Sequence, residues 1–424
     1  MTKLDDLNKS SFLLMASGLL FVAFAFLADR GFYEIGIYLS LCGIAWQAVA
    51  GKSRLIIPAP LIYLMVFYGL FILQGTLLSG RPFSKGAMSM VYACVLIIAY
   101  LQVAVSRCTS IKIFRIAFSI VVAFLIVNFI YDVIPNGNWR PKAGIAGTIK
   151  KIGYFRNAHW AAQAALLVFP FLVYLSWLSS GIRRYLYLAI IGVCLMIIAL
   201  TNAAAAFLAL AGVLLVLAWY LGGKGVRGGL RVAFASVALL LVASYYYADG
   251  SYFQLILAKI AKDERWMLWQ ISWRLQEQST LWQWIFGHGF EVYGQVHNTY
   301  AIPRGFELAY CQHNMVLEVL YSNGVVGLLV LLGFLVAFLR YLHGILSPDS
   351  DRTLIVARAV VVASFYGLLI DAMFVYPFVS REFQLPFAFI AASAIYLSPA
   401  FIDRFGGHRG FFGRHFAKVD VKPH

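Results

Sequence analysis

Long apolar runs alternate with short polar turns along almost the whole chain. Each run is about as long as a bilayer requires of a helix, roughly 17–25 residues. The runs fall near 11–28, 32–50, 57–79, 86–106, 111–133, 158–179, 184–200, 203–222, 229–247, 314–340, 354–376 and 383–402. This pattern predicts an all-α integral membrane protein with about twelve transmembrane helices.

One long polar interval, residues 248–313, interrupts the alternation. Within it, Tyr252–Trp284 has apolar residues at helical spacing and holds five of the ten tryptophans of the chain. Tryptophans in an amphipathic segment are typical of a helix at the membrane–water boundary. We therefore predict one long extramembrane loop containing amphipathic helices. It separates helices 1–9, within residues 1–247, from helices 10–12, within 314–402, and a basic tail follows at 403–424.

Composition agrees with this class, because 62% of the 424 residues are hydrophobic and only 12% are charged. About a quarter of the residues are charged in soluble globular proteins. The net charge of +16 does not indicate nucleic-acid binding, since the cations lie in short turns rather than on one recognition surface. No small-residue cleavage site follows the first apolar run, so we expect it to be retained as a first span. The five cysteines show no metal-ligand spacing.

Lysines and arginines concentrate in alternate turns, which predicts the orientation. Both termini are expected in the cytoplasm, and the long loop on the outer side. The cations of the predicted inner turns are Lys52 and Arg54; Arg107, Lys112 and Arg115; Arg183 and Arg184; Lys224, Arg227 and Arg231; and Arg340 and Arg352.

A basic loop on the predicted outer side, near 134–157, departs from this rule. It contains Arg140, Lys142, Lys150, Lys151 and Arg156 and no acidic residue. Two interpretations are open: its charges meet lipid headgroups, or the loop binds an anionic substrate. We favour the second.

His313 is placed immediately before the tenth run, within Gln312-His313-Asn314. On a continuous helix it would head one face, at the point where a water-facing cavity meets the protein interior. A capping or hydrogen-bonded core histidine is the alternative. The residues expected on that face are Leu317, Leu320, Gly324 and Gly327.

Three motifs together resemble the O-antigen ligase/polymerase superfamily of bacterial inner-membrane proteins. They are Arg265-Trp-x-x-Trp, Phe286-Gly287-x-Gly289 and His313-Asn314 followed by Leu317, Gly324 and Gly327, with a weaker upstream element at Gly153-Tyr-Phe-Arg156-Asn157. The resemblance covers the topology, and its motifs occupy about 265–327. It implies transfer of a glycan from undecaprenyl pyrophosphate to an acceptor on the periplasmic face, with no nucleotide sugar, cofactor or metal ion.

Under this resemblance Arg265 is expected to bind the pyrophosphate, because a guanidinium can hydrogen-bond two phosphate oxygens at once. Its neighbours Asp263 and Glu264 are at the wrong spacing to face it on a helix, so its fork is expected to be available for a ligand. The alternative is a snorkelling interfacial cation. His313 is the expected general base for the acceptor hydroxyl.

Further residues are assigned to substrate binding or to structure. Expected substrate-binding residues are Arg140, Lys142, Lys150, Lys151, Arg156, His297, Arg304 and Asn314. His288 and His297 are weaker candidates for a direct chemical role. We expect Glu318 to make a structural hydrogen bond, and Gly324 and Gly327 to allow close helix packing.

The leading functional hypothesis is a ligase of the inner membrane that joins lipid-linked O-antigen to lipid A–core oligosaccharide. Its partners would be the undecaprenyl-pyrophosphate-linked donor, the lipid A–core acceptor and membrane lipids. An O-antigen polymerase with the same donor is the closest alternative. We favour a ligase because the motifs gather in one late loop. A transporter or lipid flippase is less favoured, since the predicted spans carry few charges.

Overall fold

Helices joined by turns make up the described part of the chain in the computed structural model, and no strand occurs in that part. The structure describes residues 9–25, 30–50, 55–79, 84–105, 123, 126–127, 158–201, 204–221, 264–290, 292–294, 296, 312–346, 352–375 and 378–405. Its helices are α1 (Lys9–Ala25), α2 (Arg30–Ala50), α3 (Ala59–Ser79), α4 (Lys85–Val105), α5 (Ala158–Leu178), α6 (Ile182–Thr201), α7 (Ala204–Leu221), α8 (Glu264–Glu277), α9 (Leu281–Phe286), α10 (Met315–Gly344), α11 (Arg352–Ala372), α12 (Arg381–Tyr396) and α13 (Pro399–Phe405).

These helices confirm the all-α membrane class. Every predicted apolar run coincides with a helix except 111–133 and 229–247, which lie almost wholly outside the described residues. Among the described helices, five are long and apolar enough to cross a membrane, namely α3, α4, α5, α10 and α11. Shorter apolar helices occur at Ser10–Val22 and Ala205–Leu221. The total of twelve spans stays a prediction.

The predicted amphipathic helices of the long loop are found as α8 and α9. Trp266, Trp273 and Trp282 are exposed on them, with 52%, 46% and 64% of their surface accessible. Exposed indoles on short helices suit a membrane–water boundary, where the ring is apolar and its N–H can reach water.

Small residues let α1 and α2 meet backbone to backbone. A Cβ atom added to Gly18 would lie 2.3 Å from Ser40 Oγ and 2.6 Å from the carbonyl oxygen of Gly36. Such contacts are typical of helix pairs in membranes, where close van der Waals packing replaces the hydrophobic effect.

Several helix ends gather on one side of the bundle, here called the site face. The Phe290 ring, beyond α9, packs on Gly75 near the end of α3. Gly86 at the start of α4 lies beside Val379, which precedes α12. Gln163 near the start of α5 donates a 3.3 Å hydrogen bond to the carbonyl oxygen of Glu382. The end of α3 and the starts of α4, α5 and α12 therefore share this face.

The other ends of these helices meet on the opposite face. Gln102 near the end of α4 donates to the carbonyl oxygen of Ile56, before α3. Arg358 near the start of α11 donates to the carbonyl oxygen of Leu397, after α12. The described ends of α3, α4, α11 and α12 thus alternate between the two faces.

Helix α11 joins two hydrophobic clusters. It contributes Phe365 to a large cluster shared with α1–α4, α10 and α12. It contributes Val360 and Ala363 to a second cluster shared with α5, α6 and α7. Packing on both sides fixes α11, and with it the turn that follows its C-terminus.

The predicted continuous face from His313 to Gly327 is wrong. Helix α10 begins at Met315, and His313 precedes it with a φ of 51°, in the left-handed region. The helix is also interrupted at Gly324, where φ is 64° and ψ is −168°. Asn314 as N-cap and Gly324 as a kink therefore divide the expected stripe into separate parts.

Candidate active site

The Phe-Gly-x-Gly turn after α9 docks against the kink of α10. Gly287 has a φ of 88°, and a Cβ atom there would lie 2.3 Å from the carbonyl oxygen of Ser322. A Cβ atom on Gly324 would lie 2.4 Å from the carbonyl oxygen of Ile285. Both positions need glycine, because the backbone conformation and the close approach each exclude a side chain.

The kink exposes backbone carbonyl groups of α10, and these groups accept hydrogen bonds from the turn after α9. In an unbroken helix the carbonyls of Tyr321 and Ser322 would accept from amides four residues later. Here the amide of His288 donates to Tyr321 O at 2.9 Å, and the amide of Gly289 donates to Ser322 O at 2.8 Å. The turn therefore completes the backbone hydrogen bonding of α10 from outside the helix.

A side chain of α3 joins the same junction. The Nε2 group of Gln74 donates to the carbonyl oxygens of Phe286, at 3.0 Å, and Asn323, at 2.6 Å. Asn323 is fully buried and donates from Nδ2 to the carbonyl oxygen of Phe71 at 3.4 Å. The turn, the kink and α3 are thus held together by amide contacts.

His288 has a structural position in this junction. Its ring stacks on Tyr321 with centroids 4.1 Å apart and planes 6° apart. Its Nδ1 lies 3.1 Å from the carbonyl oxygen of Tyr321, and its Nε2 lies 3.1 Å from Ser279 Oγ. Burial lowers the pKa of His288, against the opposing effect of its hydrogen bond to the Tyr321 carbonyl.

His313 lies just before α10, half-buried, and contacts the turn after α11. Its Nδ1 is 2.7 Å from the carbonyl oxygen of Val375. A carbonyl oxygen can only accept, so this hydrogen bond requires the proton on Nδ1. In the neutral ring Nε2 then carries the lone pair, which is the arrangement a general base needs.

The residues beside His313 have structural contacts. Asn314 caps α10, and its Oδ1 accepts from the amides of Val316 and Leu317, each at 3.0 Å. Only its Nδ2 group is then left for the substrate contact predicted from the sequence. Glu318 accepts from the amide of Phe378 at 2.7 Å, which confirms the structural hydrogen bond expected of it.

Helix α8 brings Arg265 to the same region. One helical turn after Arg265, Trp269 donates from Nε1 to the carbonyl oxygen of Gln312 at 3.1 Å. The Trp269 ring lies 6.1 Å from that of Phe374. Helix α8 thus packs between the segment before α10 and the turn after α11.

The charge of Arg265 interacts with Asp371, a buried carboxylate at the end of α11. Spacing along the chain brings only Asp263 and Glu264 into consideration as acidic neighbours of Arg265, whereas Asp371 is an acidic residue from another helix. The carbonyl oxygen of Asp371 also accepts from the amides of Phe374 and Val375, at 3.0 and 2.9 Å. One turn, residues 371–375, therefore accepts the hydrogen bond of His313 and carries the carboxyl group with which Arg265 interacts.

Asp371 is the site residue that sequence reasoning missed. The available signal was a lone acid at the outer end of an apolar run, and a charged residue in such a run usually has a partner. The other predicted substrate-binding residues lie outside the described part of the chain. They are Arg140, Lys142, Lys150, Lys151, Arg156, His297 and Arg304. Among the described residues, no group of three or more His, Cys, Asp or Glu side chains is arranged to hold a metal ion.

A protein-family model described as O-antigen ligase matches residues 190–332. The match contains Arg265, the Phe-Gly-x-Gly turn, His313 and the kink at Gly324, and it ends before α11. No curated protein matches the chain. The family points to glycosyl-transfer enzymes of O-antigen processing, and the apolar helices agree with its membrane setting. The chain is therefore a multi-pass membrane protein that is similar to the O-antigen ligase family over residues 190–332.

Proposed function

We propose that the protein moves O-antigen polysaccharide from undecaprenyl pyrophosphate to a sugar hydroxyl of lipid A–core oligosaccharide, on the periplasmic face of the inner membrane. The observation that supports this most is the shared turn at 371–375, contacted by His313 and interacting with Arg265 through Asp371. A base and a phosphate-binding cation are the two groups that this reaction requires.

His313 acts as the general base. The Val375 carbonyl holds the proton on Nδ1, so Nε2 accepts the proton of the acceptor hydroxyl. The acceptor oxygen attacks the anomeric carbon of the donor sugar as its bond to the phosphate oxygen breaks. The gain expected from such a base is about 10²–10⁴-fold.

Arg265 receives the pyrophosphate leaving group. Negative charge grows on that group as the sugar–oxygen bond breaks, and a guanidinium binds two phosphate oxygens without losing its own charge. The negative charge of Asp371 interacts with Arg265 before the donor arrives. A preorganised cation of this kind lowers the barrier without a metal ion.

The predicted outer cations complete the donor site in this proposal. The basic loop at 134–157 and Arg304 bind the remaining charge of the pyrophosphate, and His297 and the Asn314 amide group contact sugar hydroxyls. Each of these is a prediction from residue type and position in the sequence.

A two-substrate assay tests the function. Purified protein is mixed with lipid-linked glycan and lipid A–core, with and without a chelator. We expect glycan on lipid A–core at a rate the chelator does not change. Longer glycan on the lipid carrier, with lipid A–core unused, would instead identify a polymerase. Substrate that crosses a reconstituted bilayer with no new glycosidic bond would identify a transporter and refute the proposal.

A further inference from the structure

A buried hydrogen-bond chain links three helices just beneath the site face. Tyr68 of α3 donates its hydroxyl proton to Gln384 Oε1 of α12. Gln384 donates from Nε2 to the carbonyl oxygen of Phe378 at 2.7 Å. The amide of Phe378 donates to Glu318 Oε2 of α10 at 2.7 Å. The side chains of this chain are buried, and Gln384 has no accessible surface.

The chain holds both backbone groups of Phe378. Glu318 takes its N–H, and Gln384 takes its carbonyl oxygen. The Phe378 ring is also fully buried, with centroids 5.5 Å from Phe71 and 5.3 Å from Phe383. Phe378 is therefore an anchor point in the connection between α11 and α12.

This anchor lies three positions after Val375, whose carbonyl oxygen contacts His313. On the other side of that carbonyl, the Val375 amide is bonded to the Asp371 carbonyl at the end of α11. The Val375 carbonyl group therefore lies between two fixed points, the Asp371 carbonyl group and Phe378. Loss of one fixed point would let the carbonyl move relative to the imidazole.

We propose that Glu318, Gln384 and Tyr68 are positioning residues for His313. They hold the connection after α11 so that the Val375 carbonyl keeps the His313 proton on Nδ1 and the lone pair on Nε2. This rests on the proposed role of His313 as the base. The network acts on the reaction through backbone, without touching either substrate.

A network that only stabilised the fold would behave differently. Its loss would reduce the amount of folded protein and leave the pH dependence of the remaining activity unchanged. A positioning network changes the pH dependence, because the Val375 carbonyl favours the protonated imidazolium over the neutral ring. Loss of that contact therefore moves the ascending limb of the pH–rate profile to lower pH.

The test uses variants that keep side-chain volume. Glu318→Met and Gln384→Met break the chain on either side of Phe378, and Tyr68→Phe removes only the outermost hydroxyl. Gln102→Met is the matched control, because Gln102 is an equally buried glutamine that donates to a backbone carbonyl on the opposite face. Glu318→Gln is the conservative variant, since its amide oxygen can still accept from the Phe378 amide.

We expect Glu318→Met and Gln384→Met to lower kcat by about 10- to 100-fold, as small misplacements of catalytic groups do. The donor KM should stay within about threefold, since uniform binding is unchanged. Both variants should shift the ascending limb to lower pH, whereas Gln102→Met and Glu318→Gln should keep it. Gln384→Met alters no ionisable group, and a shift that persists in the Asp371→Asn background reports on His313 rather than on the carboxyl group of the same turn.

Wild-type pH profiles in folded Glu318→Met and Gln384→Met would overturn the proposal. If those two variants do not fold, Tyr68→Phe decides, with a smaller shift in the same direction expected and an unchanged profile overturning the proposal. The His313→Ala variant distinguishes failure of the proposed base role from failure of the proposed positioning network. An active His313→Ala protein refutes the base and the positioning network together. An inactive one, with unshifted profiles in the network variants, refutes only the network.

Discussion

The Nδ1 atom of His313 lies 2.7 Å from the carbonyl oxygen of Val375, in a turn that also carries the buried Asp371 carboxylate. Two segments far apart in the sequence therefore determine the tautomer of the His313 imidazole. The start of α10 supplies the ring, and the end of α11 supplies the acceptor that selects its tautomer.

Substitution of His313 by alanine should abolish transfer while donor binding is retained. We expect a fall in kcat of about 10²–10⁴-fold, the contribution typical of a general base. The measurement is transfer to lipid A–core alongside a donor-binding assay. His343→Ala is the matched control, because His343 contacts Tyr220 and Tyr366 at the other end of α10. Near-normal transfer by the His313 variant would remove the base assignment.

Arg265→Lys keeps the positive charge and loses the planar fork. We expect kcat/KM for the donor to fall about 10- to 100-fold, equivalent to about 1.4–2.7 kcal/mol of lost transition-state binding. Arg274→Lys, at an exposed position on the same helix, serves as control. An unchanged kcat/KM in the Arg265→Lys variant would mean that Arg265 makes no bidentate contact with the pyrophosphate.

Asp371→Asn should weaken pyrophosphate binding by Arg265, although Asp371 itself does not contact the donor in this proposal. The change removes the carboxyl group whose charge interacts with Arg265. We expect transfer to fall about tenfold, and less when Arg265 is already lysine, because residues that act together are not additive. A double-mutant cycle over the two positions measures this coupling. Strictly additive losses would show that the two side chains act independently.

Gly324→Ala should destabilise the junction between α10 and the turn after α9. Its backbone conformation is close to restricted to glycine, and a Cβ atom would lie 2.4 Å from the Ile285 carbonyl oxygen. We expect a loss of at least about 2 kcal/mol. Gly333→Ala on the same helix is the control, since a Cβ atom there meets nothing within 4 Å. It should be neutral or stabilise by up to about 1 kcal/mol. Thermal unfolding in detergent compares the two.

Acid should weaken the junction through His288. Burial lowers the pKa of His288 in the folded protein, so the unfolded chain takes up the proton first as pH falls. The contribution of His288 is therefore complete above about pH 6.5, the ordinary histidine value, and is lost as pH drops below it toward the folded pKa. Unfolding temperatures at pH 5 and pH 7.5 should differ more in the wild type than in His288→Phe. Equal pH sensitivity in both would exclude this histidine as the cause.

The sequence predicted helix positions well because length and apolarity alone determine where a bilayer-spanning helix can be. The predicted run at 57–79 corresponds to the helix Ala59–Ser79, and the predicted run at 86–106 corresponds to the helix Lys85–Val105. The start of α10 was less well predicted, although Asn314 is a favoured N-cap residue. His313 has a left-handed conformation where Gln312 contacts α8 and His313 contacts the turn after α11, and no local pattern reveals these contacts.

The kink at Gly324 and the interaction of Arg265 with Asp371 could not be predicted from the sequence, for a related reason. A glycine in an apolar helix usually indicates close packing, and only the approach of the Ile285 carbonyl from α9 shows that this one breaks the helix. Asp371 is in a different helix from Arg265, so no spacing rule connects them. Both features depend on tertiary contacts between segments distant in the chain.

The break in α10 has a mechanical consequence. Residues 315–323 exchange hydrogen bonds and ring contacts with the turn after α9, whereas the helix beyond Gly324 exposes Leu329, Leu332 and Val336. The first piece is also bonded to Phe71 of α3 and to Phe378 before α12, so it should keep a fixed position relative to those elements. A load on α9 would therefore pass through residues 315–323 to α3 and to the segment before α12, and His313 would keep its position.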